Sequence, residues 1–412
     1  MRRFCLSLML MFGLAQATTL SGHAVLSADT FAAGPASGAF NGQGVRGAPR
    51  FPSQPVQGFS AVQFSGTCGT YLVMPDNGFG NKPNSADYLL RMYQITPTFK
   101  TTPEGSGSVK VGEFLQLRDP DRKVPFLLVN ESTPERFLTG GDFDIESFVQ
   151  DASGDLWVGD EFGPFILHFD STGKLLEAPI KIPTFAEGSD PTRDFVMSPQ
   201  NPAVLAASPA PGKASLANLP SSGGFEGMAI NASRDKLYAL LEKTVEGDNE
   251  YDLRIYEYDL KARTFSGKYF SYPKEDPSYA IGDLTVINDH EFLVIERDQK
   301  QGADAAFKQI FRIDLRDLDS EGKLNKHEVV DLMNIQDPKN LAGYGETFTF
   351  PYVTIEDVLV IDPTTLLVMN DNNYDARGGR GPDIKDPNEF LWLTLDQPLN
   401  VAAGVGKPAS CK

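Results

Sequence analysis

The chain has 412 residues, 41% hydrophobic and 22% charged, an ordinary soluble globular composition with ample length for a large core. Asp and Glu number 55 against 37 Lys and Arg, a formal charge of −18. No basic cluster offsets that excess, so nucleic acid and anionic membranes are not expected as partners, whereas cations or cation-bridged ligands are.

The first residues, "MRRFCLSLMLMFGLAQATTLSGHA", read as an export leader over 1–24. Arg2 and Arg3 precede an apolar run from Phe4 to Leu14, and Ala17 or Ala24 offers the cut. The run is too short to cross a bilayer of about 30 Å as a helix. An exported protein without a transmembrane anchor is expected, periplasmic or extracellular. Residues 25–58 then read as an N-terminal extension, 59–401 as the main domain and 402–412 as a C-terminal tail. Cys5 belongs to the leader, which leaves Cys68 and Cys411. In an oxidising compartment these two are expected to pair, which requires the two ends of the mature chain to meet.

After the leader, helical periodicity is nearly absent. Short β-rich runs alternate with Gly, Pro, Asn and Asp. One pattern recurs: acid, apolar strand, polar turn, apolar strand, acid. It is seen in "FDIESFVQDASGDLWVGDE" (143–161), "FEGMAINASRDKLYALLEK" (225–243), "IGDLTVINDHEFLVIERD" (281–298) and "IEDVLVIDPTTLLVMNDNN" (355–373). "FSAVQFSGTCGTYLVMPDN" (59–77) is a weaker copy, with Ser60 in place of the first acid. Further strands follow each copy, which describes β-propeller blades with long loops. The expected fold is therefore all-β, a propeller of six blades, with five repeats visible and room for seven. Residues 183–223, with seven prolines and little strand character, are expected to form a lid or a disordered stretch.

Antiparallel pairing places the start of the first strand of each repeat beside the end of the second. Glu146 should then face Asp160 and Glu161, Glu226 should face Glu242, Asp283 should face Glu296, and Glu356 or Asp357 should face Asp371. If the first strands line a central channel, these acids crowd one mouth. Three readings are open for such a ring: turn capping, a calcium site built from carboxylate oxygens, and acid–base catalysis by carboxyls whose pKa is raised. Lys243, Arg297, Arg377 and Arg380 stand at the same strand ends and could bind phosphate. No nucleophile elbow, zinc-protease motif or phosphate-binding loop appears. The four histidines show no ligand spacing, so zinc is not expected.

The motifs "DIESFVQDASGDLWVGDEFGPFILHFDSTGKLL", "GFEGMAI", "IERD" and "NDNN" resemble the phytase-like family, also described as "esterase-like activity of phytase", over roughly residues 59–395. The resemblance implies an exported, bacterial, propeller-like protein that hydrolyses phosphate or carboxylic esters. Motif matching puts Glu146, Asp160, Glu161, Glu226, Glu242, Glu296, Asp371 and Asn372 on its recurring polar positions.

Together these readings predict an ester hydrolase assisted by calcium or another divalent cation. Glu146, Glu161, Glu242, Lys243 and Arg297 are the catalytic candidates. Asp160, Glu226, Glu296 and Asp371 are the metal ligands, and Arg377, Arg380 and Asn372 hold a small ester or phosphate ester. The rival readings are a lactonase-type esterase and a non-catalytic secreted propeller that binds a ligand or protein.

Overall fold

The computed structural model describes residues 18–185, 194–207 and 215–408, together with Cys411. The leader expected over residues 1–17 lies outside them.

Five four-stranded antiparallel blades form the ring. Blade one is Phe59–Phe64, Tyr71–Pro75, Arg91–Thr98 and Ser108–Gln116. Blade two is Ile145–Gln150, Leu156–Asp160, Phe165–Phe169 and the short Ile180–Lys181. Blade three runs from Phe225–Ile230 through Lys236–Leu241 and Asp252–Asp259 to Thr264–Pro273. Blade four is Ala280–Val286, Glu291–Arg297, Lys308–Leu318 and Leu324–Asp331. Blade five takes Asp357–Asp362, Thr365–Met369 and Asn388–Thr394 from the end of the chain, and its outer strand, Thr19–Leu26, from the beginning.

The five inner strands touch their neighbours in turn and close the circle. The propeller class therefore stands, with one correction. Among the described residues the ring has five blades, the five repeats visible in the sequence, and not six. The length that suggested a sixth is taken up by long connections, such as 117–144, 182–224 and 370–387. Inside 183–223, residues 186–193 and 208–214 lie outside the described set. The rest packs on the ring: Val196 donates to Ile182 (2.8 Å), Leu219 is buried, and Pro202–Ala207 forms a short helix.

Inner strands are flanked by blades on both faces, which is why they read as nearly continuous apolar runs. Alternate residues face opposite neighbours. Phe148 packs towards blade one with Met74, while Val149 packs towards blade three with Phe225 and Met228. Five such apolar clusters fill the ring, one between each pair of adjacent blades. Blade four approaches the entry to blade five closely at Gly282, where a Cβ would lie 2.0 Å from the Ile355 carbonyl oxygen.

Two devices fasten the circle. Thr19–Leu26 pairs antiparallel along Asn388–Thr394, with Ala24 fully buried. A cut after Ala24 would divide this strand, whereas a cut after Ala17 leaves it whole. The expected Cys68–Cys411 disulfide is present, with Cα atoms 5.2 Å apart, and it pins the C-terminal tail to the first hairpin. Gly404–Pro408 of that tail lies over the channel mouth at the hairpin-turn end of the blades. Among the described residues no helix is long and apolar enough to cross a membrane.

Candidate functional site: an acidic channel mouth

Each of the first four blades has a β-bulge near the start of its inner strand. The pairing slips between Phe59 and Ala61, Ile145 and Ser147, Phe225 and Gly227, and Ile281 and Asp283. The extra residue is Ser60, Glu146, Glu226 or Gly282. A bulge re-aims its side chain out of the ladder, and here the ladder ends at the mouth of the channel. Glu356, directly before Asp357–Asp362 in blade five, stands at the same position.

The exits of the second strands form a matching ring. The amides of Asp76, Glu161 and Glu242 donate to the carbonyls of Gly58, Asp144 and Gly224, each at 2.8 Å. Arg297 holds the same register opposite Ala280, and Asp371 follows Thr365–Met369 in blade five. The five exit positions thus carry four acids and one arginine.

Both rings line a cavity of about 300 Å³ that contains Asp76, Asp144, Glu146, Glu161, Glu226 and Glu242, together with Glu356, Asp371, Lys243 and Arg297. Oxygens of Asp144, Glu146 and Glu161 lie within 4.8 Å of one another. Arg297 Nη2 is 2.9 Å from Glu356 and 3.7 Å from Glu226, and Lys243 pairs with Glu242.

Crowding of buried acids dominates the electrostatics. Burial, then Asp144 and Glu226, push Glu146 well above the usual carboxylate range. Burial, then Glu242 and Asp144, do the same to Glu161, and burial with Glu356 and Glu242 raises Glu226. Asp76 and Asp371 are raised well by burial, each helped by a neighbouring acid. Burial opposes the charges of Arg297 and Lys243, yet the surrounding acids raise both. Directly after the blade-four bulge, burial pushes Asp283 up to about 8. Asp357 is raised well by burial and then by Asp283, and among the described residues neither of its oxygens has a hydrogen-bond partner.

The structure brings Glu146, Glu161, Glu226, Glu242, Lys243, Arg297 and Asp371 together at the cavity. It places five other candidates elsewhere. Asp160 is one residue out of register with the exit ring and caps a turn, accepting from the amides of Asp144 (2.9 Å) and Gly163 (2.6 Å). Glu296 is out of register in the same way and turns towards the outer strands, accepting from Tyr272 (2.7 Å), Lys326 (2.7 Å) and the Glu275 amide (2.6 Å). In a strand a shift of one residue reverses the face.

Asn372 is buried between Gly58 (3.0 Å), the Asp386 carbonyl (2.8 Å) and Gln57, and Arg377 lies outside the cavity, bonded to the Asp383 carbonyl. Arg380 forms a bidentate pair with Glu389 inside blade five (2.6 and 2.7 Å). Asp283 pairs with Ile295 rather than Glu296, and its carboxylate accepts from the amides of Leu284 (2.6 Å) and Val358 (2.9 Å).

Two cavity acids were not singled out in the sequence. Asp76 could have been found, because "YLVMPD" ends on it where "LWVGDE" ends on Glu161. Asp144 could not, because its counterparts in the other blades are Gly58, Gly224, Ala280 and Thr354 and carry no acid.

Comparison with known proteins places this arrangement. Over 194 residues the chain is 28% identical to an uncharacterized secreted protein of Arthroderma benhamiae, a match covering 40% of this chain and 36% of that protein. The chain thus spans little more than a third of that relative's length. Among solved structures it is similar to a GH43 β-1,3-galactosidase (12% identity, 83% of this chain, 91% of the other, TM-score 0.40). It is also similar to the calcium-binding protein regucalcin of Agrobacterium tumefaciens (10% identity, 85% of this chain, 93% of the other, TM-score 0.35). The family described as "esterase-like activity of phytase" matches residues 54–374, which takes in blades one to four and the first hairpin of blade five. On this match across most of its length, the chain belongs to the phytase-like family.

Proposed function

We propose that the protein is an exported hydrolase of small phosphate or carboxylic esters that works with a divalent cation, calcium in the first instance, at the acidic mouth. The observation that carries this reading is Glu161 Oε1. It is buried and has no hydrogen-bond partner among the described residues, yet it belongs to a carboxylate triangle with Asp144 and Glu146. Three buried acids so close together are costly unless a proton or a cation neutralises them. An all-oxygen donor set suits a hard cation, and the triangle would hold it. When bound, such an ion polarises an ester oxygen and acidifies water.

The chain's own groups support the same chemistry. Glu226 and Glu242 face the cavity and can take a proton from water, while Arg297 and Lys243 place positive charge where an ester oxygen gains electrons. Acids outnumber cations in the cavity, which favours substrates carrying little negative charge unless several cations bind. Export is supported by the leader-like residues 1–17, the disulfide and the secreted relative.

One observation favours a second reading, a ligand-binding propeller without catalysis: Arg297 and Lys243 are both already matched to acids. Hydrolysis of p-nitrophenyl phosphate, p-nitrophenyl acetate and a lactone separates the readings. Activity on at least one of them in calcium, lost in chelator and in Glu161→Gln, is the expected result. No hydrolysis with calcium, magnesium, manganese or zinc would overturn the proposal in favour of the binding propeller.

A further inference from the structure

A second cluster lies at the opposite end of blade two, in the hairpin turn between Ile145–Gln150 and Leu156–Asp160. Asp151 and Asp155 flank this turn, and His168 reaches it from the neighbouring strand. One ligand atom from each lies within 4.8 Å of the other two.

The turn is built to hold its acids still. Gly154 adopts a positive φ of 88°, which closes the hairpin. Asp151 Oδ1 accepts from the amides of Ser153 (2.8 Å) and Asp155 (3.1 Å) and from the Ser153 hydroxyl (2.6 Å). Its Oδ2 accepts from the Trp157 indole at 3.0 Å. Among the described residues Asp155 Oδ2 has only the Ser153 hydroxyl at 3.3 Å and the histidine at 3.7 Å.

His168 supplies the observation that points to a ligand. The residue is 5% exposed, and its Nε2 is buried with no hydrogen-bond partner among the described residues while facing Asp155. The other ring nitrogen is committed. Nδ1 lies 2.9 Å from Glu177 Oε1, and Arg263, which pairs with the same carboxylate, comes within 3.2 Å. When Nδ1 holds the proton and donates it to Glu177, the Nε2 lone pair is directed at the two aspartates. This carboxylate–histidine arrangement is the one that orients metal-ligating imidazoles. Trp157 stacks on the ring, with centroids 3.9 Å apart, and fixes its plane.

We propose that Asp151, Asp155 and His168 form a binding site for a divalent transition-metal ion of the zinc class, separate from the channel mouth. An imidazole nitrogen with two carboxylates suits zinc, cobalt or nickel, whereas calcium takes oxygen ligands. The absence of a sequence signal is explained by the fold. His168 is thirteen residues from Asp155 and comes beside it only through the pairing of His168 with Trp157.

The stacked indole makes the site readable without any activity assay. The chain has two tryptophans, so a Trp392→Phe background leaves Trp157 as the reporter. Titration with cobalt(II) should quench its fluorescence saturably at one equivalent, zinc should compete, and excess calcium should not. His168→Gln and Asp155→Asn should each weaken binding by about tenfold or more, and Glu177→Gln by about tenfold through loss of the imidazole's orientation. Glu161→Gln at the mouth should change nothing. Asp155→Asn lies in the solvent-facing turn and keeps the test decisive if His168→Gln fails to fold. Absent quenching, quenching unchanged in Asp155→Asn, or quenching removed by calcium or by Glu161→Gln would overturn the proposal.

Discussion

Arg297 and Glu356 form a buried ion pair, Nη2 to Oε1 at 2.9 Å, inside a ring of acids. Arg297 occupies the exit position that is Asp76, Glu161, Glu242 or Asp371 in the other blades. One cation therefore offsets part of the charge of a whole mouth. Replacing it with glutamine leaves Glu356 and Glu226 buried without compensation. Breaking a buried pair in this way costs about 3–5 kcal/mol. Denaturant unfolding of Arg297→Gln in chelator should show that loss, and the loss should shrink at pH 5, where the acids can protonate. A change below about 1 kcal/mol would show that the pair is not what stabilises the mouth.

Burial of carboxyl groups gives the metal-free protein a definite pH dependence. Burial pushes Asp160 up to about 7 and Asp283 up to about 8, far above the values of about 4 expected in the unfolded chain. Between roughly pH 4 and 8 the native state therefore binds more protons than the unfolded one, and stability must fall as pH rises through that window. Glu389, brought down to about 2 by His23 and Arg380 against the opposing effect of burial, has the opposite sign but acts below pH 4.5. The melting temperature in chelator should be higher at pH 5 than at pH 8, with calcium reducing the slope. A melting temperature that rises over this range would contradict the assignment.

Gly282 is the one bulge residue without a side chain. A Cβ there would sit 2.0 Å from the Ile355 carbonyl oxygen, which is backbone and cannot swing aside. Gly282→Ala should cost at least the roughly 1–3 kcal/mol typical of overpacking. Urea unfolding at a fixed pH checks it, and a neutral result would mean that the blade-four and blade-five inner strands part easily.

Cys68 and Cys411 are 343 residues apart in sequence. The chain-entropy model bounds the stabilisation from closing so long a loop at about 5–6 kcal/mol. The Cys68→Ser, Cys411→Ser double variant should lose stability within that bound. It should keep its β-sheet circular dichroism, because Thr19–Leu26 still closes blade five. Loss of the folded state altogether would show that the strand closure alone does not hold the ring.

Repetition made most of this fold legible. Five copies of a strand–turn–strand pattern gave five blades, and the cysteines at the two ends foretold a ring whose ends meet. The sixth blade was an error of length, since long connections contain as many residues as a blade. At the mouth, the acids that recur in step lie together, and the candidates that stand apart do so because of register. In "GDE" and "IERD" two candidates sit side by side, and only the ladder shows that Glu161 and Arg297 face the channel while Asp160 and Glu296 do not. The bulge at Glu146 and Glu226, which turns those side chains to the mouth, leaves no mark in a single sequence. Arg380 resembled a phosphate ligand because its partner Glu389 lies in the next strand.

The triangle of Asp144, Glu146 and Glu161 is where we propose that a divalent cation binds. Isothermal titration of calcium into the chelator-treated protein and into Glu161→Gln tests it most directly. Saturable binding to the native chain is expected, with a loss of affinity of about tenfold or more in the variant, whose fold is retained because Glu161 Oε1 has no hydrogen-bond partner among the described residues. Absence of calcium binding to the native chain, or equal affinity in Glu161→Gln, would contradict it.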